Sequence, residues 1–135
     1  MMGRHGVKGV AVQERTNAAA SGLNESLVLR KALQRAGEEL GLSAQESAQA
    51  IGKSRTFFEQ ARAQSRIDRH TQRMIALVLR LHRSLSAFVG VDTELMRHWI
   101  NTANRHTGGI LRQQLQDPEQ LVELVHDLDA MRGRP

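Results

Sequence analysis

The sequence predicts an all-α protein, and three observations carry that reading. Apolar residues recur three and four apart in segment after segment, which is the spacing of a helix face. No segment alternates apolar and polar residues over the length of a strand. Aromatic residues are only 3% of the 135, so a core must be packed from Leu, Val, Ile, Ala and Met, side chains that suit helix against helix.

Residues 1–22 read as a loose basic arm. Gly3, Gly6 and Gly9 interrupt it, Arg4, Lys8 and Arg15 charge it, and it has no apolar run of secretory-signal length. A first helix is expected from Asn24, with Leu29, Leu33, Ala36 and Leu40 on one face and Gly41-Leu42 as its stop. Ser43 and Glu46 have the spacing of a capping box that opens a second helix through Ala48 to Ile51, ended by Gly52. Ser54 is the expected N-cap of a third helix through Phe57, Phe58 and Ala61 to about Ala63, followed by a linker over 64–69. Met74, Leu77, Val78, Leu81, Leu85 and Phe88 form one stripe on a helix of about twenty residues that Gly90 terminates, with Arg73, Arg80 and Arg83 on the other face. Asp92 caps a helix whose inward face is Leu95, Met96, Trp99, Ile100 and Ala103, leading to a turn at Thr107-Gly108-Gly109. Asp117, Pro118 and Gln120 announce the last helix, with Leu121, Leu124, Val125, Leu128 and Met131 facing the core and Gly133 at its end.

Function is bounded first by size and charge. A chain of 135 residues fits one ordinary domain or two very small ones, which disfavours a large enzyme. The 19 basic residues outnumber the 14 acidic ones, and sixteen of the 19 are Arg, the side chain suited to bidentate contact with phosphate or carboxylate. Between Gly52 and Arg83 eight basic residues face two acidic ones, whereas residues 84–135 hold five basic and seven acidic. The positive potential is thus concentrated in one stretch, as contact with a polyanion requires. There is no cysteine, which excludes disulfides, thiolate catalysis and cysteine-based zinc sites. The six histidines form no His-x-x-x-His pair, and no phosphate-loop, dinucleotide or nucleophile-elbow spacing occurs. We therefore expect no enzymatic activity, no cofactor and no metal. The longest apolar run, Met74 to Leu79, is six residues against the roughly 20 of a membrane span. A soluble, cytoplasmic protein without a membrane partner is the expectation.

Residues 42–62 have helix-turn-helix spacing: a capped short helix with the small Ala48, a turn at Gly52, and a second helix that Phe58 anchors in the core. Ser47 and Lys53 stand where such motifs generally bury an aliphatic side chain, so an ordinary helical hairpin stays open as the alternative. If the motif faces DNA, Lys53, Ser54, Arg55, Thr56 and Arg62 lie at the recognition helix, and Arg66 and Arg69 supply outlying phosphate contacts. Half-site recognition would need a homodimer with its two reading heads about 34 Å apart.

The C-terminal run from Trp99 through Asn104 to Gly108-Gly109, followed by Leu115, Asp117-Pro118-Glu119, Val125, Leu128 and Gly133, resembles the toxin-binding domain of Xre/MbcA/ParS-type antitoxins. With the helix-turn-helix and the long middle helix upstream, the resemblance spans residues 24–135. The chain departs from the family pattern at Ala103, where Pro is usual, at Thr107, often Leu, and at Gln120, commonly Gly. Beyond the arm over 1–22, the resemblance implies an Xre-like DNA-binding domain over 23–66 and a toxin-binding domain over 67–135. It further implies an antitoxin that occludes the NAD site of an RES-domain toxin, or less often of an ADP-ribosyltransferase, and binds its own operator DNA as a dimer within a larger hetero-oligomer. Trp99, Asn104, Arg105, Gly108, Gly109, Arg132 and Arg134 are the residues so implied for the toxin contact. A stand-alone transcriptional repressor and a protein-binding adaptor with a degenerate helix-turn-helix are the competing readings.

Overall fold

The computed structural model describes residues 22–59 and 66–133. Residues 1–21 of the expected arm, Arg62 and Arg134 lie outside the described residues, and Gly22, the arm's last residue, is the first of a helix. The all-α expectation holds for the architecture: seven helices are described, α1 (22–40), α2 (Ala44–Ala50), α3 (Thr56–Glu59), α4 (Arg69–Val89), α5 (Thr93–Asn101), α6 (Leu111–Gln114) and α7 (Leu121–Gly133). No single helix among them is long and apolar enough to cross a membrane.

Local chemistry explains most boundaries. Ser43 Oγ accepts from the Glu46 N–H while Glu46 Oε1 accepts from the Ser43 N–H, the reciprocal bonds of a capping box at the start of α2. Asp68 accepts from the Thr71 N–H at 2.7 Å and opens α4, and Asp92 accepts from the Glu94 and Leu95 N–H groups and opens α5. Asp117 caps a short 3-10 turn, Pro118–Gln120, that leads into α7.

The expected N-cap at Ser54 is not made. The chain first closes a turn in which the Ser54 carbonyl accepts from Phe57 N–H, its hydroxyl pairs with that of Thr56 at 2.7 Å, and α3 starts at Thr56. Two short strands that no alternation announces are also present. Ala103–Asn104 (β1) and Gly109–Ile110 (β2) pair antiparallel, with Ala103 opposite Ile110 and Asn104 opposite Gly109. Ala103 is therefore exposed on a hairpin and does not face inward from α5.

α4 is the central helix, flanked by two partners that run in its own direction. Arg66, just before α4, lies against Gly22 at the start of α1, the Ile67 N–H donates to Ser26 Oγ, and Glu39, one residue short of α1's end, meets His82 at 2.7 Å. On the other side Pro118, ahead of α7, approaches Gly52 near the start of α4, and Ser84 and Arg80 both reach Asp129 farther along. Leu33 and Leu40 of α1, Ile75, Val78, Leu81 and Leu85 of α4, Ile100 of α5, and Val125 and Leu128 of α7 belong to a single buried cluster. Each such side chain contributes about 1.5–3 kcal/mol by leaving water. Of the residues expected on the helices' core faces, Phe88 and Leu95 are exposed, and Leu29, Phe58, Leu77, Trp99 and Met131 are partly buried and packed against the core.

Candidate nucleic-acid and partner interfaces

Residues 44–59 form two short helices joined by a turn at Gly52, whose φ of +78° is a left-handed conformation that disfavours any other residue. Ala48 is fully buried, as a close crossing requires. Ser47 is buried too, and the reason lies opposite it: a Cβ placed on Gly37 of α1 would come within 2.0 Å of Ser47 Oγ. α1 and α2 therefore touch backbone to side chain at this point, and the aliphatic residue usual at this position would not fit.

Phe57 is buried and carries the guanidinium of Arg30 over its ring at 4.9 Å, and Phe58 packs against the core edge-on to Phe57. Burial lowers the pKa of Arg30. With both rings turned inward, the start of α3 presents polar groups outward: Lys53, Ser54, Arg55 and Thr56 are all exposed. Arg55 faces a groove of about 670 Å³ whose lining includes Arg30, Lys31, Gln34, Phe58 and Glu59. Arg66 and Arg69 are exposed near the same end of the molecule, where the Lys53 charge also acts on Asp68. Of the seven candidates for DNA contact, the six described ones thus share one end of α4. The hydrogen bonds from Thr71 hold the Asp68 carboxyl below its ordinary range, so a negative charge persists within this basic end.

The second candidate set divides. Asn104 organises its own loop: Oδ1 accepts from the Thr107 N–H at 2.8 Å and from the Thr107 hydroxyl at 3.0 Å, while its backbone pairs with Gly109. Gln114 Nε2 closes the loop from α6 by donating to the Thr107 carbonyl at 2.6 Å. Gly108 takes φ +75°, and a side chain at Gly109 would crowd Gln114. Asn104, Gly108 and Gly109 are therefore shape-giving residues, and what the loop shows to solvent is Arg105 and His106. Trp99 is half-buried against the core. Arg132 lies elsewhere, on α7, lining a cavity with Arg80, Arg83 and Asp129. The Asp129 carboxyl is held below its ordinary range by the Ser84 hydroxyl, against the opposing effect of burial, with further help from Arg80 and Arg132.

Sequence reasoning missed Arg112. From α6 its guanidinium donates to Asn101 Oδ1 at 2.6 Å, to Glu46 Oε1 at 2.7 Å and to the Gly41 carbonyl at 2.7 Å. It joins the end of α1, the capping box of α2 and the end of α5. All three partners are distant in sequence, so no local spacing announces it. Among the described residues no group of three or more His, Cys, Asp or Glu is placed to hold a metal ion. Compared with protein-family models and with curated proteins, the sequence matches none.

Proposed function

We propose that the protein is the antitoxin of a two-component toxin–antitoxin module. It binds operator DNA through α2, the Gly52 turn and α3, and it neutralises an NAD-consuming RES-domain toxin through its C-terminal half. The observation that supports this reading is a pair of distinct exposed features: basic Lys53, Arg55, Arg66 and Arg69 at one end of α4, and a hairpin loop closed by its own hydrogen bonds that presents Arg105. In this reading Arg55 and its neighbours Ser54 and Thr56 meet base edges, and Arg66 and Arg69 meet phosphates. Trp99 and Arg105 belong to the toxin contact, while Arg132 and Arg134 offer guanidinium groups to the pocket that otherwise takes the NAD pyrophosphate.

Co-expression with the product of the adjacent reading frame tests it directly. The expected result is a stable complex, suppressed NAD consumption, and a gel shift on the upstream DNA. Arg55→Ala is expected to lose about 1–3 kcal/mol of discrimination between the promoter and random DNA while leaving suppression intact. A protein that neither suppresses NAD loss nor shifts promoter DNA would overturn the proposal.

A further inference from the structure

Arg69, Arg73, Arg80 and Arg83 stand on the solvent side of α4 and recur at helical spacing, with the exposed Ala76 at the intervening position. At 1.5 Å per residue the row is about 21 Å long. Its near end follows Arg66 and Asp68, where the Lys53 charge is felt, and at its far end Arg132 of α7 lines a cavity of about 300 Å³ with Arg80 and Arg83. Arg80 is paired with Asp129, while among the described residues Arg69, Arg73 and Arg83 have no ion pair.

We propose that this row is a phosphate-binding track that extends the DNA contact along α4, beyond the α2–α3 unit, with Asp129 weakening it by occupying Arg80. The proposal rests on the DNA-binding reading above. Two features favour a nucleic-acid backbone over an acidic protein. The row holds no apolar side chain larger than Ala76, whereas protein interfaces are anchored by large apolar or aromatic groups. Of the exposed large apolar side chains among the described residues, Phe88, Val91 and Leu95 lie beyond its far end and Val28 and Val122 stand on α1 and α7, none of them in the row.

The test is fluorescence anisotropy on two labelled 30-base-pair duplexes, one taken from the DNA immediately upstream of the reading frame and one a shuffle of it, across about 50–300 mM NaCl. Arg73→Gln/Arg83→Gln should reduce the slope of log affinity against log salt by about 1.8, since each lost phosphate contact removes about 0.9. The ratio of affinities for the two duplexes should not change. Asp129→Asn, which keeps a partner for Ser84 but frees Arg80, should steepen the slope by about 0.9. Thermal unfolding of each variant confirms that the fold is kept. If the wild type binds and the double variant keeps its slope, the track is overturned and the row is left as a surface for an acidic protein. If the wild type binds neither duplex, the DNA-binding reading itself falls, and the track with it.

Discussion

Replacing Arg112 by Met keeps the aliphatic stem and removes three hydrogen bonds at once. A net contribution of about 1.5–3 kcal/mol applies to a hydrogen bond with a charged partner when it is well shielded. Arg112 and Glu46 are 29% and 25% exposed, and Asn101 is open to water, so the Asn101 bond adds little and the other two are partly screened. A total of about 2–3 kcal/mol follows. With an unfolding entropy near 2.1 cal/mol/K per residue over roughly 100 ordered residues, that is a fall in Tm of about 10–15 °C. Thermal melts followed by circular dichroism read it, and a double-mutant cycle with Glu46→Gln should return a coupling of about 1–2 kcal/mol. The cycle should also depend on acid. Burial raises the Glu46 pKa, but the hydrogen bonds from Ser43 and Arg112 outweigh it and the net shift is downward. A carboxyl lowered in the folded state stabilises fully above its unfolded pKa, about 4.3, and loses that contribution as pH falls through the folded value. The gap between wild type and Arg112→Met is therefore expected to narrow below about pH 4. A Tm change under about 2 °C, or single-variant effects that simply add, would refute the idea that Arg112 joins the two halves.

Other substitutions probe the fold elsewhere. Gly37→Ala drives a methyl into Ser47 and should destabilise by about 1–3 kcal/mol, with Ser47→Gly in the same chain restoring most of the loss in urea titrations. Asn104→Ala should cost about 1–2 kcal/mol and accelerate amide exchange across residues 105–109, and under the proposed function it should lower toxin suppression more than global stability. Gly108→Ala, which meets open space but a left-handed φ, should cost about 1–2 kcal/mol through backbone strain alone, read as a shift in the urea midpoint at unchanged slope.

The legible parts of this fold are those written within one turn of chain. Ser43 with Glu46, Asp92, and Asp117 with Pro118 each satisfy backbone groups a few residues away, so their spacing alone locates the helix starts. Ser54 has the same chemistry, but the hydroxyl of Thr56 takes its side chain, a competition that spacing does not reveal. Ser47 looked out of place because its burial depends on the missing side chain of Gly37, ten residues earlier and on another helix. The hairpin at 103–110 was invisible because two-residue strands have no room for alternation, and they are held by Asn104 and Gln114 acting across the loop. Of the candidate site, the exposed basic end could be read from charge along the chain. The separation of Arg132 from the Asn104 loop could not, because only the packing of α7 beside α4 decides it.

The closed loop between β1 and β2 has a consequence for evolvability. Its shape is set by Asn104, Thr107, Gly108, Gly109 and Gln114, while the exposed Arg105 and His106 carry none of its hydrogen bonds. Substitution at those two sites therefore leaves the scaffold untouched. Ordering one residue's backbone costs about 1–2 kcal/mol, and here that ordering is complete before any partner arrives. Drift at two codons can thus change the chemistry the loop presents without passing through an unfolded or floppy intermediate.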